Sequence, residues 1–382
     1  MVGLFTVILG ILAAAYCGLI LVYRYWFRRL KIYEPIRPQP SATYFSIIIP
    51  ARDEAENISA CLNTILQQNY PVAFTEVLVV NDYSTDDTAA IVAEFSLKYP
   101  FIRLINLADH LDGKVINAYK KRAIEIAVAQ SKGDWMVTTD ADCLLPVDWL
   151  FLLDQYIQEK NPVLVAAPVM FTQLKSVIGI FQSLDFISLQ GITAAAVAAG
   201  YHSMCNGANL AYEKKAFYAV GQFKGIDHLA SGDDMFLMHK IKQQYPARLG
   251  YLFSPKVIVE TSPMPNWNAF LQQRIRWASK ADSYTEKSIF WVLALVYSFN
   301  AALLLGVLVA FFTEGLWYWV IYFIGIKTLV ELLFMLSVAR FYGLQQTLLY
   351  FPLLQPLHIF YTVIAGWLGK FGKYRWKNRT VQ

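Results

Sequence analysis

The feature that most narrows the fold is a series of strands that all stop at polar residues. Phe45-Ser46-Ile47-Ile48-Ile49-Pro50, Val77-Leu78-Val79-Val80, residues 102–105 and Trp135-Met136-Val137-Thr138-Thr139 are short and apolar. Such runs read as strands buried on both faces. Between them, residues 54–68, 85–99 and 113–130 carry apolar side chains at helical spacing. Strands alternating with helices imply right-handed βαβ units and a mostly parallel sheet of the α/β class. Ligands of such sheets bind beyond the carboxyl ends of the strands. At those ends stand Pro50 to Glu54, Asp82, Lys114 after Gly113, and Asp140 with Asp142. Residues i and i+2 of a strand point to one face, so Asp140 and Asp142 converge where their strand finishes. Paired carboxylates suit Mg²⁺ or Mn²⁺, which takes oxygen ligands and shares them with phosphates. Alone, Asp-x-Asp is more often a turn or cap. Four polar sites in register are harder to dismiss.

Of the 382 residues, 56% are hydrophobic and only 16% charged, too apolar for a purely soluble chain. Residues 1–23 carry no charge and are long enough to cross the hydrocarbon core. Arg24, Arg28, Arg29 and Lys31 come immediately after. A cleaved signal peptide carries its positive charge first and has a shorter apolar core, so residues 1–28 are expected to be an uncleaved anchor. The positive-inside rule then puts the chain beyond the anchor in the cytoplasm, at the inner (plasma) membrane of a cell. A linker stiffened by Pro35, Pro38 and Pro40 fills 29–44, and the α/β domain occupies 45–262. The net charge of +5 is modest; a membrane is the expected partner and a nucleic acid is not. Cys17, Cys61, Cys143 and Cys205 lack metal-ligand spacing and read as small core hydrophobes.

Residues 163–168 make one more strand. Residues 171–200 are nearly apolar enough to span, interrupted only by Asp185. A span there would put Asp140 and the later Asp233-Asp234 pair on opposite sides of the bilayer. A helix packed on the sheet or lying at the membrane surface is expected instead. Cys205-Asn206-Gly207-Ala208-Asn209-Leu210-Ala211-Tyr212 is a small-residue turn running into a strand, and Ser231-Gly232-Asp233-Asp234 opens a helix. Two short strands come next, over 248–253 and 257–260. Within 263–287, an amphipathic helix from about residue 266 carries Gln273, Arg276 and Trp277 at i, i+3 and i+4, on one face.

Residues 288–312 are uncharged and span. Residues 316–339 span as well, with Lys327 and Glu331 four apart in the middle. A structural ion pair is expected there, since membrane charges pair or serve function. The last apolar stretch, 344–368, holds Pro352, Gln355, Pro356 and His358, and leads into a basic tail (370–382). A complete last span would export that tail against the positive-inside rule. The region 288–369 is therefore expected to hold two spans plus either a third span or, in keeping with that rule, a re-entrant or interfacial hairpin broken at Pro352 and Pro356. The tail itself reads as contact with anionic lipid.

In order along the chain stand Pro50-Ala51-Arg52-Asp53-Glu54, Val80-Asn81-Asp82, Gly113-Lys114, Asp140-Ala141-Asp142, Gly232-Asp233-Asp234 and Gln273-Arg274-Ile275-Arg276-Trp277. Over about 45–277, and in the flanking membrane layout, this set resembles the inverting, membrane-bound family-2 glycosyltransferases of GT-A fold. The chain departs at Asp233, where Glu is usual, and at Asp53, where Asn is commoner; neither change removes a carboxylate that the chemistry needs.

The resemblance implies a Rossmann-like GT-A domain and a nucleotide-sugar donor, a UDP-sugar foremost. Pro50, Ala51, Glu54 and Asp82 would grip base and ribose, with Lys114, Asp140, Gln273, Arg276 and Trp277 completing the donor site. Asp140 and Asp142 would hold Mg²⁺ or Mn²⁺ against the diphosphate leaving group. Inversion needs one base, and Asp234 is the candidate, with Asp233 beside it; like charges side by side raise one pKa, which suits a base. Trp277, Asn206, Gly207 and Asn209 would border the acceptor. The Gln-x-x-Arg-Trp pattern resembles that of ceramide-type glucosyltransferases and of processive polysaccharide synthases. A site roofed by membrane segments makes transfer of one sugar to a lipid, glycolipid synthesis, the leading expectation. Three or four spans leave little material for the channel of a polymer-extruding synthase. A binding-only scaffold would not need the Asp140, Asp142 and Asp234 set, and a transporter would show helical repeats.

Overall fold

The computed structural model describes all residues except 1, 112–115, 173–175, 203, 228, 230, 281–283, 285, 372, 373, 377, 378 and 382. After α1 (Val2–Arg29) come β1 (Phe45–Ala51), α2 (Ile58–Leu66), β2 (Thr75–Asn81), α3 (Thr88–Lys98), β3 (Ile102–Asn106), α4 (Tyr119–Gln130), β4 (Trp135–Thr138) and α5 (Trp149–Lys160). α2 and α3 start three or more residues later than their apolar spacing implied, because residues 53–55 and 84–88 ahead of or opening them are hydrogen-bonded to one another at the ends of β1 and β2. Next are β5 (Leu164–Ala166), β6 (Val169–Phe171), α6 (Val177–Ala198), β7 (Leu210–Glu213), α7 (Lys214–Ala219), α8 (Asp233–Gln244), β8 (Leu249–Tyr251), β9 (Val259–Thr261) and α9 (Trp267–Ala278). The chain closes with α10 (Lys287–Ala310), α11 (Leu316–Phe341), α12 (Phe351–Phe371) and the hairpin of β10 (Tyr374–Trp376) and β11 (Arg379–Val381).

Seven strands form one sheet in the order β3-β2-β1-β4-β7-β5-β8. β1 lies parallel to β2 and β4 at the centre, whereas β7 runs antiparallel to both β4 and β5. Alternate residues feed opposite sides. Ile47, Ile49, Val77 and Val79 join α2 and α5, while Ile48, Leu78 and Val80 join α4 and α6. Burial on both faces is what the unbroken apolar runs required.

Five helices (α1, α6, α10, α11 and a segment ending in α12) are long and apolar enough to cross a membrane by length and composition. α6 differs from the rest: 67% of its apolar window is buried in the protein, against 22–33% in the other four. It packs on β8 of that sheet and on β6, which pairs with β9 in a separate two-stranded sheet, and on its other side meets the helices α1, α11 and α12. Gly191 marks its crossing with α11, where a Cβ would come within 2.5 Å of Val338.

The expected hairpin at the end of the chain is corrected. Residues Phe351–Phe371 are one continuous helix with Pro356 inside it. Pro352 falls in the first turn, where its missing N–H has no partner to lose, so neither proline breaks the segment. Both ends of α12 nonetheless lie beside the α/β unit. Its start follows a 3-10 turn (Gln345–Tyr350) after α11, whose Phe341 stacks on Phe253 at 4.0 Å, and its Phe351 and Leu354 line a cavity with Phe181 and Leu184 of α6. It then runs in the same direction as α9, with Tyr361 against Phe270 at 5.3 Å and Gly369 against Ala278.

Candidate active site

The carboxyl ends of β1 and β2 are laced together. Asp53 sits at φ 49°, a left-handed conformation that Asp tolerates better than most residues. Its N–H donates to Ser84 Oγ at 3.1 Å and its carboxylate accepts from Thr85 N–H at 2.8 Å. Glu54 N–H donates to Thr88 Oγ1 at 2.8 Å and Ala55 N–H to Asp86 at 3.0 Å. Arg52 donates to the Asp82 carbonyl at 2.9 Å. Pro50, Ala51, Glu54 and Asp82 thus stand together at the carboxyl ends of β1 and β2, with Ala51 and Asp82 buried.

Beyond β4, Asp142 accepts from Thr261 Oγ1 at 3.0 Å, at the end of β9. Burial, with the carboxylates of Asp140 and Glu54 nearby, pushes its carboxyl up to about 6. Asp140 faces α4, where Lys120 Nζ donates to its Oδ1 at 2.7 Å and stands 3.6 Å from Asp233 Oδ2. Lys114 lies outside the described residues. The described part of α4 starts at Tyr119, so the lysine seen at the acidic cluster is Lys120.

Gly232, at φ +79°, caps α8; a Cβ there would collide with Phe236 at 2.6 Å, and only glycine avoids strain at this φ. Asp233 and Asp234 occupy the first turn, where the helix dipole favours anions. Asp234 is fixed by backbone: Gly207 N–H donates to Oδ2 at 3.0 Å and Met235 N–H to Oδ1 at 2.7 Å. The Gly207 turn is tied back to β4 by Thr138 Oγ1, which donates to the Gly207 carbonyl at 2.8 Å. Burial raises the Asp233 carboxyl, but Lys120 and Lys280 outweigh it and hold it below the ordinary carboxylate range.

Of the expected acceptor residues, Asn206 spends its side chain on the Ala208 N–H at 3.0 Å, and Gly207 abuts Asp234. Asn209 is a correction. It is 1% exposed, accepts from Trp149 Nε1 at 2.9 Å and donates to the Pro168 and Val257 carbonyls, both at 2.8 Å. Every polar atom of its amide is committed to the core, so it borders no site.

On α9, Gln273, Arg276 and Trp277 are half-buried and Arg274 is buried. Trp277 lies against Phe186 of α6, with ring centroids 6.2 Å apart. Sequence reasoning missed Lys120, Lys280 and Arg274. Lys120 in the first turn of α4, Arg274 within α9 and Lys280 just past its end carry no local mark in the sequence separating a solvated cation from one paired with a distant carboxylate.

Among the described residues no group of three or more His, Cys, Asp or Glu converges on a metal position. Asp140 and Asp142 nonetheless offer carboxylate oxygens in a site crowded with negative charge, the donor set that Mg²⁺ or Mn²⁺ accepts when phosphates complete the shell.

Sequence comparison gives the family to which this fold and these residues belong. The profile described as Glycosyl transferase family 2 matches residues 46–220, and that described as Glycosyl transferase family group 2 matches 135–365. The chain belongs to the family-2 glycosyltransferases. It is 28% identical over 239 residues to the probable glycosyltransferase YdaM of Bacillus subtilis, covering 61% of this chain and 54% of that one. It is 25% identical over 240 residues to a poly-β-1,6-N-acetyl-D-glucosamine synthase of Staphylococcus epidermidis, covering 61% and 53%. The chain thus spans about half the length of these curated relatives. Its fold matches a mannosyltransferase of Pyrobaculum calidifontis solved with GDP-Man and Mn²⁺, at TM-score 0.61 and 20% identity, over 93% of this chain and 99% of the other.

Proposed function

We propose that this protein is an inverting glycosyltransferase that moves one sugar from a nucleotide-sugar donor, a UDP-sugar foremost, to a membrane lipid at the cytoplasmic face. The observation that carries this reading is the convergence of Asp140 and Asp233 on Lys120, with Asp234 held beside them by the Gly207 and Met235 N–H groups. An acceptor hydroxyl entering beside Gly207 would give its proton to Asp234 as its oxygen bonds to the anomeric carbon. The bond from that carbon to the diphosphate breaks on the opposite face, and the electron pair leaves with the diphosphate. Lys120 adds positive charge where that pair arrives. Asp140 and Asp142 would hold Mg²⁺ or Mn²⁺, which supplies Lewis-acid stabilisation of the leaving group. Pro50 to Glu54 and Asp82 would take base and ribose, and Gln273, Arg276 and Trp277 would close the site from the membrane side.

Arg28 and Arg29 in the last turn of α1 support a cytoplasmic site. Packing of α12 along α9, with Gly369 against Ala278, supports keeping its end on that side too. The likeness to a polysaccharide synthase favours a second reading, processive polymerisation. Purified protein in lipid should be screened with UDP-, GDP- and dTDP-sugars and Mn²⁺ or Mg²⁺, and the lipids extracted for mass spectrometry. A lipid heavier by one hexose, absent with Asp234→Asn, is expected. A water-soluble polymer would transfer the case to the second reading.

A further inference from the structure

The mid-membrane pair Lys327 and Glu331 does not stand alone. Lys327 Nζ donates to Glu331 at 2.7 Å and to Gln355 of α12 at 2.9 Å, and Tyr16 of α1 donates to Glu331. His358, one turn on from Gln355, has Nδ1 3.5 Å from Lys327 and Nε2 3.8 Å from Asp185 of α6. Asp185 also accepts from Tyr361 of α12. Its other oxygen accepts twice from Arg274, from Nε at 2.9 Å and from Nη2 at 2.6 Å. A polar chain therefore runs from α11 through α12 and α6 to α9.

At its end Arg274 touches two residues of the Gln-x-x-Arg-Trp motif. Nη1 donates to Gln273 Oε1 at 2.7 Å, and the guanidinium lies 4.3 Å from the Trp277 ring centroid and 4.6 Å from that of Phe270. Both partners of the Asp185–Arg274 pair are about 4% exposed on the side chain. A buried ion pair adds little net stability over apolar packing, yet its fork geometry fixes direction.

We propose that Asp185 is a positioning residue for sugar transfer: through Arg274 it sets the orientation of Gln273 and Trp277, and through Tyr361 and His358 it links that orientation to the membrane helices. This rests on the proposed function in assigning Gln273 and Trp277 to the transfer site.

The test compares Asp185→Asn, Asp185→Glu, Arg274→Lys and the double variant Asp185→Asn/Arg274→Lys, as full chains in lipid nanodiscs. Asp185→Asn and Arg274→Lys should each lower kcat at least about tenfold, and the double variant should lose no more than the worse single change. The loss should fall on kcat more than on the affinity for UDP or GDP with Mn²⁺, since base and ribose are assigned to Pro50–Glu54 and Asp82, and Asp185→Glu should recover part of the rate. A kcat within about twofold of wild type in folded Asp185→Asn, or full activity of Arg274→Lys, would overturn the proposal. If the wild type transfers no sugar at all, the functional reading fails on its own. Amide exchange across Trp267–Ala278 then decides: faster exchange there in Asp185→Asn, with α5 unchanged, supports the hold on α9, and unchanged exchange sinks it.

Discussion

Lys120 Nζ lies 2.7 Å from Asp140 and 3.6 Å from Asp233, so a single ammonium joins the carboxylate after β4 to the acidic turn of α8. A divalent ion that takes Asp140 must draw it away from that ammonium. Lys120→Gln should therefore bind Mn²⁺ more tightly in the absence of nucleotide, by about tenfold, or ~1.4 kcal/mol. Electron paramagnetic resonance of free Mn²⁺ reads this directly; equal affinity would mean that the metal and Lys120 do not compete for Asp140.

Asp234→Asn keeps an acceptor for the Gly207 N–H but takes no proton. Transfer should fall by about 10²–10⁴, the usual weight of a general base. Calorimetric binding of UDP or GDP with Mn²⁺ should remain. Asp233→Asn should cost less in rate, since Lys120 and Lys280 keep Asp233 ionised as a counter-charge.

Lys121, next to Lys120, is 1% exposed and faces the other way. Its ammonium donates to the Ile226 carbonyl at 2.9 Å, the Ser231 carbonyl at 3.0 Å and the Leu229 carbonyl, pinning the approach to Gly232. Burial lowers its pKa to about 8. Between pH 8 and the ordinary lysine value the unfolded chain binds more protons than the folded one, so stability credited to this site rises with pH. The stability difference between wild type and Lys121→Met should grow from pH 8 to pH 10 in urea titrations. A flat difference would contradict it.

Lys327→Met leaves Glu331 buried without its cation and should destabilise the protein by about 3–5 kcal/mol. Lys327→Met/Glu331→Leu should recover much of that loss, because two apolar residues leave no orphan charge. Unfolding in detergent micelles separates the two variants.

In sealed vesicles, an impermeant maleimide should label Phe371→Cys from the same side as Leu97→Cys of α3, and Phe312→Cys from the other. The three positions are 66%, 88% and 91% exposed. Labelling of residue 371 with 312 would make α12 a full crossing.

Strand positions were legible because a strand buried on both faces leaves an unbroken apolar run. The reversal of β7 was not, since Leu210–Glu213 reads alike in either direction and only pairing with β4 and β5 sets its sense. Asp140, Asp142, Asp233 and Asp234 could be picked out by their places after strands and at a helix start. Asn209 could not be told from its neighbour Asn206, because one amide goes to core carbonyls that lie 41 and 48 residues away in sequence. Pro352 and Pro356 misled for a related reason: a proline's effect depends on its turn within the helix, and the apolar pattern does not show where α12 begins.

At Gly191 a Cβ would meet Val338 at 2.5 Å, and at Gly369 it would meet Ala278 at 2.6 Å. At these two points the apolar helices α11 and α12 meet α6 and α9 with no room for a side chain. With a lipid acceptor, the site would stand at a set height above the bilayer, since close-packed contacts resist compression. What varies between candidate acceptors is the reach from buried tail to nucleophile. The protein would act as a gauge, passing lipids of the right reach and leaving shorter and longer ones untouched.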